Sequence, residues 1–224
     1  MSTFKSLTQE LREKGAGNRD IGMALRVMAA ISALDELVFS KKERGMINII
    51  PASKHPHKYP VAYHRGDKES EECYLIFVNG IADYLKEEKS KKRVIIKNGR
   101  PGNRAKLVKN SWDEMFFRVA AHEVRHRLQN KLKIRKFTPK SAEIIDDRIL
   151  KWTIEFYTVE FEERKKIYER DGESEDYIRD RMKPREFDAS VIESFVISKI
   201  RGNGGKISLN KKIASLIKTE RPRR

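Results

Sequence analysis

Residues 111–126 read Ser111-Trp112-Asp113-Glu114-Met115-Phe116-Phe117-Arg118-Val119-Ala120-Ala121-His122-Glu123-Val124-Arg125-His126, a run that joins a helix start to a chemical motif. Ser111 and Glu114 stand in the S-x-x-E order of a capping box, in which a hydroxyl and a carboxylate each accept from a backbone N–H left open at a helix start. From there Met115, Val119, His122 and His126 fall on one helical stripe, with Phe116, Ala120 and Glu123 beside it. The spacing predicts a helix from about Trp112 to Leu132. Two imidazoles four positions apart project from one face, one turn apart, so both can reach a single metal ion. The first turns of the stripe are apolar, so the face is a buried one. A buried polar pair without a partner costs on the order of a few kcal/mol, and a metal satisfies both rings at once. Glu123, next to the first ring, then lies where it can take a proton from a metal-bound water.

A catalytic zinc site usually has three protein ligands and one open position. The longer H-E-x-x-H-x-x-G-x-x-H form is absent, because the residue ten after His122 is Leu132. His55, His57 and His64 lie upstream in loops or strands, so a downstream carboxylate is the expected third ligand. Arg185-Glu186-Phe187-Asp188-Ala189 opens a helix begun by Pro184, and the small Ala189 and Ser190 let that helix pack close to the motif helix. Glu186 is the first candidate and Asp188 the alternative. Two positions apart, they point roughly 200° from each other around the helix, so only one can face the ion. Glu193, two turns beyond Glu186, is a third candidate.

Around these two helices the chain changes grammar several times. Leu7 to Lys14 reads as a short helix closed by Gly15 and Gly17, and Asp20 as the cap of a stronger helix from Ile21 to about Ser40. Asn48-Ile49-Ile50, Val61-Ala62-Tyr63-His64 and Tyr74 to Val78 are short β-like runs parted by Pro, Gly and charged turns. Ile81 to about Ser90 reads as a helix, Val94-Ile95-Ile96 as one more edge strand, and Asn98 to Gly102 as a loop. Thr138-Pro139 starts a long helical segment to about residue 170, broken by Asp171-Gly172. The Pro184 helix reaches about Ile200, Gly202-Asn203-Gly204-Gly205 is a flexible link, and Ile207 to Ile217 is a small basic helix. The expected fold is α+β: a mostly helical domain with a small three- to four-stranded sheet over the motif helix. The expected division is 1–45 as N-terminal helices, 46–200 as the domain that carries the motif, and 201–224 as a basic C-terminal extension.

Composition bounds the rest. A chain of 224 residues can bury a real core, and 37% charged residues with a formal net charge of +16 give it a Lys-rich, solvated surface. Such a surface suits a polyanion, with Lys86 to Arg104 and Lys206 to Arg224 as the patches. No segment approaches the ~20 apolar residues that span a bilayer. The polar N-terminus lacks the apolar core of a signal peptide, and one cysteine, Cys73, excludes an internal disulfide and a cysteine-based zinc ribbon. A reducing cytoplasm is the expected compartment. Cys73 lies in the apolar run Cys73 to Val78 and reads as a buried small hydrophobe.

The run Ala121-His122-Glu123-Val124-Arg125-His126, preceded by strands and followed by an E-x-D-A helix, resembles the gluzincin metallopeptidases. The nearest likeness is to ImmA/IrrE-type peptidases and related phage-encoded putative metallopeptidases, over about residues 46 to 200. Arg125 stands where that family commonly has Gly. The resemblance implies a zincin-like domain, Zn2+ on His122, His126 and Glu186 or Asp188, Glu123 as general base, and a protein or peptide as substrate. It also calls for an oxyanion donor, for which Tyr157, Tyr168, Tyr177 and His64 are the candidates. The rival expectation is a basic nucleic-acid-binding protein whose metal site is structural or vestigial; the near absence of aromatic residues in the basic patches argues against a stacking platform for single strands.

Overall fold

The computed structural model describes residues 4–51, 61–64, 72–90, 93–96, 105–108, 110–136, 165–166, 168–170, 172, 174–202 and 218. The fold they form is α+β and mostly helical. Helices α1 (Phe4–Glu13) and α2 (Asn18–Val38) come first. Strands β1 (Met46–Ile50), β2 (Val61–His64) and β3 (Cys73–Phe77) follow, then α3 (Ile81–Ser90), β4 (Arg93–Ile96) and β5 (Ala105–Val108). The motif helix α4 (Trp112–Lys136), a short α5 (Glu175–Arg181) and α6 (Pro184–Gly202) complete the set. No helix among the described residues is long and apolar enough to cross a membrane.

The small sheet expected from the pattern has three strands, and a separate two-stranded ladder accompanies it among the described residues. The first has the order β1-β3-β2, with β1 parallel and β2 antiparallel to β3. Central β3 is the most apolar of the three and is buried on both faces along most of its length. The Val94-Ile95-Ile96 run does form a strand, β4, but it pairs antiparallel with β5 and packs against α6. The sequence 139–170, the loop at 98–102, most of the segment beyond 202 and Tyr157 lie outside the described residues, apart from 165–166, 168–170 and 218.

Helix α4 lies at the centre. It packs against α2 on one side and α6 on the other, and β2 also lies against it. Residues Ala120 to Arg125 are buried on every side of the helix. One continuous core runs from Leu11 through Ile31, Leu34, Ile76, Leu85, Phe116 and Val124 to Ile192 and Ile197. Small residues are buried on both helices: Ala120 and Ala121 of α4 and Ala189 of α6 are fully buried, and Ser190 and Ser194 of α6 are buried with them. Ala189 and Ser190, the small residues expected to face inward, are both buried, and α6 packs against α4.

The start of α4 is capped as its sequence predicts. The Ser111 N–H donates to Glu114 Oε2 at 2.7 Å, and the Glu114 N–H donates to Ser111 Oγ at 3.2 Å. Asp20 behaves differently from its expected role. Helix α2 begins at Asn18 after Gly17 with no side-chain cap, and the Asp20 carboxylate reaches across to α3 instead. There it accepts from the N–H groups of Ala82 at 2.8 Å and Gly80 at 3.2 Å, open donors at the start of that helix. Gly80, at φ +82°, makes the left-handed turn that delivers the chain from β3 into α3.

A buried polar knot ties α4 to α2 and β3. Arg127 donates through Nη1 to Asp35 Oδ1 and through Nη2 to the Glu43 carbonyl, and its guanidinium lies 4.1 Å over the Phe39 ring. Asp35 also accepts from Tyr74 Oη at 2.6 Å and from the Gly45 N–H at 3.0 Å. Burial, then the Asp35 charge, hold the Tyr74 phenol far above its ordinary range, so it remains a donor. Two side chains on α2 and β3 thus fix the rotation of the helix that carries the histidines. Cys73 is buried at the start of β3 and burial pushes its thiol up, in keeping with a small hydrophobe.

Candidate metal centre

His122 and His126 occupy consecutive turns of α4 and turn the same nitrogen to the same point. Their Nε2 atoms lie 3.0 Å apart. Glu186, in the first turn of α6, closes the third side: its Oε2 is 3.1 Å from His122 Nε2 and its Oε1 is 3.0 Å from His126 Nε2. One ligand atom from each of the three residues lies within 4.8 Å of the other two. Tetrahedral ligands about 2.1 Å from a zinc ion lie about 3.4 Å from each other, so a few tenths of an ångström of outward adjustment would fit this donor set to the ion. Two imidazoles and a carboxylate are a donor set that could hold a metal ion, with the histidines largely buried and Glu186 partly open.

The other two acidic candidates take different posts. Asp188 points away from the histidines. Its Oδ2 accepts from Arg125 Nε at 2.7 Å and from Gln129 Nε2 at 2.6 Å, and its Oδ1 from Arg125 Nη2 at 3.1 Å. Glu193 lies behind His122: its Oε2 is 3.3 Å from Nδ1, within ion-pair distance, and its Oε1 is paired with Arg118. Arg118 in turn reaches Asn110 Oδ1 at 3.3 Å. The half-turn difference in direction between positions 186 and 188 accounts for the separation of Asp188 from Glu186.

Electrostatics tie the cluster together. Burial would lower the His122 pKa, but the contacts with Glu186 and Glu193, and then the charges of Glu186 and Glu123, outweigh it and push the group up to about 10. Burial would raise Glu186, and its contacts with His122 and His126 and their charges instead hold it far below the usual carboxylate range. Glu123 is buried beside His122, near enough for its charge to act on that ring.

Gln129, Arg125, Arg118 and Asn110 are site residues that the motif does not reveal. For Arg118, Arg125 and Gln129 the signal in the sequence is polar and charged residues inside a helix segment otherwise filled by Ala and Val, with Gln129 one turn beyond His126; Asn110 precedes the helix and carries no such signal. Of the oxyanion candidates, Tyr168 and Tyr177 pack edge to face at 5.7 Å between centroids, and His64 lies on β2, the strand against α4. The basic patch from Lys206 to Arg224 lies outside the described residues except for Lys218, as does much of the Lys86 to Arg104 patch. Comparison of the chain with protein-family models, with curated proteins and with solved structures gives no match.

Proposed function

We propose that this chain is a zinc-dependent hydrolase of peptide bonds, built on a zincin-like arrangement and acting on a protein or peptide. The observation that carries the reading is the convergence of His122 Nε2, His126 Nε2 and the Glu186 carboxylate, with a second acid, Glu123, buried on the same helix. His122, His126 and Glu186 would hold the ion. When bound, zinc supplies Lewis acidity and brings the pKa of a water towards ~7.

The chain's own residues supply the rest. Glu123 is the proton carrier, accepting from the attacking water and delivering to the leaving amine nitrogen. Proton transfer by a positioned carboxylate contributes roughly 10²–10⁴-fold, so losing it should silence turnover without emptying the site. The partial exposure of Glu186 leaves the site open on its side, while α4 is enclosed by α2, α6 and β2. The resemblance to gluzincins supports the same assignment through the HExxH order and the acidic helix that follows.

The test is cleavage of an unfolded protein substrate by the zinc-loaded chain, with product masses read by mass spectrometry. Wild type should release fragments bearing new amino termini, and Glu123→Gln should bind zinc but release none. Steeply salt-dependent binding of DNA or RNA by a chain that takes up no zinc would favour the nucleic-acid reading instead.

A further inference from the structure

Beyond the three residues that converge, a chain of hydrogen bonds runs from Arg125 through Asp188 and Gln129 to the back of His126. We infer that Gln129 is a positioning residue: its side-chain amide, oriented by Asp188 and the Arg185 carbonyl, sets His126 as the Nδ1–H tautomer and so turns a lone pair on Nε2 towards His122 and Glu186. The inference rests on the cation-site reading above and extends it to the residues that prepare one ligand.

The argument is one of donors and acceptors. An amide has one end that only donates and one that only accepts. One end of the Gln129 side chain lies 2.6 Å from Asp188 Oδ2 and 3.1 Å from the Arg185 carbonyl oxygen. Asp188 Oδ2 already accepts from Arg125 Nε at 2.7 Å, so it presents a lone pair there, and a backbone carbonyl can only accept. The end facing both must therefore be the NH2 group, and the opposite end must be the carbonyl oxygen. That oxygen lies 2.9 Å from His126 Nδ1. An amide oxygen cannot donate, so the hydrogen between them belongs to Nδ1. A neutral ring protonated at Nδ1 carries its lone pair at Nε2, the atom 3.0 Å from both His122 Nε2 and Glu186 Oε1.

Arg125 gives the arrangement its stiffness. It grips Asp188 through two nitrogens, both partners are buried, and the carboxylate cannot rotate without breaking that fork. A residue standing where the resembling family commonly has Gly thereby acquires a role: Arg125 orients Asp188, which orients Gln129, which orients His126. Outer hydrogen bonds of this kind fix ring orientation and tautomer, and their removal typically costs 10–100-fold in metal affinity.

The experiment is long-range 1H–15N spectroscopy of the histidine rings, on the zinc-loaded protein and on the metal-free protein at alkaline pH, in parallel with zinc titrations of wild type, Gln129→Met and Asp188→Asn. Wild type should show His126 protonated at Nδ1 in both forms. Gln129→Met should mix the two tautomers in the metal-free protein and weaken zinc binding about 10–100-fold. Asp188→Asn removes the carboxylate charge that Arg125 and Gln129 share, so it should loosen the amide and shift the spectrum in the same direction; if it fails to fold, Gln129→Met carries the test. A wild-type His126 protonated at Nε2, or a Gln129→Met protein with unchanged tautomer and unchanged affinity, would overturn the inference. A wild type that takes up no zinc would sink the cation-site reading, while the metal-free spectrum would still decide the role of Gln129.

Discussion

Arg125 and Asp188 form a two-pronged ion pair, Nε to Oδ2 at 2.7 Å and Nη2 to Oδ1 at 3.1 Å, with Asp188 sealed from solvent between α4 and α6. The pair joins the helix that carries both histidines to the helix that carries Glu186. Its position makes the geometry of the candidate metal centre and the packing of the two helices a single problem.

Cutting that pair on one side should be costly. Asp188→Ala removes the carboxylate that grips the buried Arg125 charge through two hydrogen bonds, and loss of one member of a buried ion pair typically destabilises by about 3–5 kcal/mol. The double variant Arg125→Met/Asp188→Leu removes both charges and should recover most of that loss. Urea unfolding of the three proteins measures it; equal stabilities for Asp188→Ala and wild type would show that the pair contributes nothing to the fold.

Gly45 should tolerate no side chain. A Cβ there would lie 2.8 Å from Tyr74 Cε2 and 3.2 Å from the Arg127 guanidinium, both parts of the knot around Asp35. Gly45→Ala should therefore destabilise by roughly 1–3 kcal/mol, the usual range for overpacking. A shift of the urea midpoint to higher concentration would contradict the packing described for this corner.

The candidate metal centre should couple to pH in a defined direction. The folded-state pKa of His122 is raised to about 10, so in the metal-free protein its contribution to stability is complete below its unfolded value of about 6.5 and fades as pH rises through about 10. The folded-state pKa of Glu186 is lowered, so its contribution is present above its unfolded value of about 4.3 and fades as pH falls below it. A cation must displace the His122 proton. Its affinity should then rise about tenfold per pH unit from neutrality towards pH 10, with proton release visible by calorimetry in buffers of different ionisation enthalpy. A pH-independent affinity between 7 and 9 would contradict the assignment of His122 as a ligand.

What the sequence makes legible here is what depends on short spacing. The capping box at Ser111 and Glu114, the shared face of His122 and His126, and the start of α6 at Pro184 all follow from residues three or four apart, or from one proline. The same half-turn rule separates Glu186 from Asp188. What stays hidden depends on partners far along the chain. Asp20 follows the local grammar of a cap, yet its acceptor role is spent on Ala82, 62 positions away. Gln129 and Arg125 acquire their roles only from Asp188, 59 and 63 positions on. Strand β5 has only four residues, Ala105-Lys106-Leu107-Val108, and its identity comes from pairing with β4 rather than from a pattern of its own.

The central claim is that His122, His126 and Glu186 hold one divalent cation with Glu123 beside it. The most direct measurement is the zinc content of the purified chain and of its His122→Ala, Glu186→Ala and Glu123→Gln variants, each checked for folding by circular dichroism. The account predicts one zinc per chain in wild type and Glu123→Gln, and loss of stoichiometric zinc from His122→Ala and Glu186→Ala. A folded wild type that binds none, or a Glu186→Ala protein that holds zinc as tightly as wild type, would contradict it.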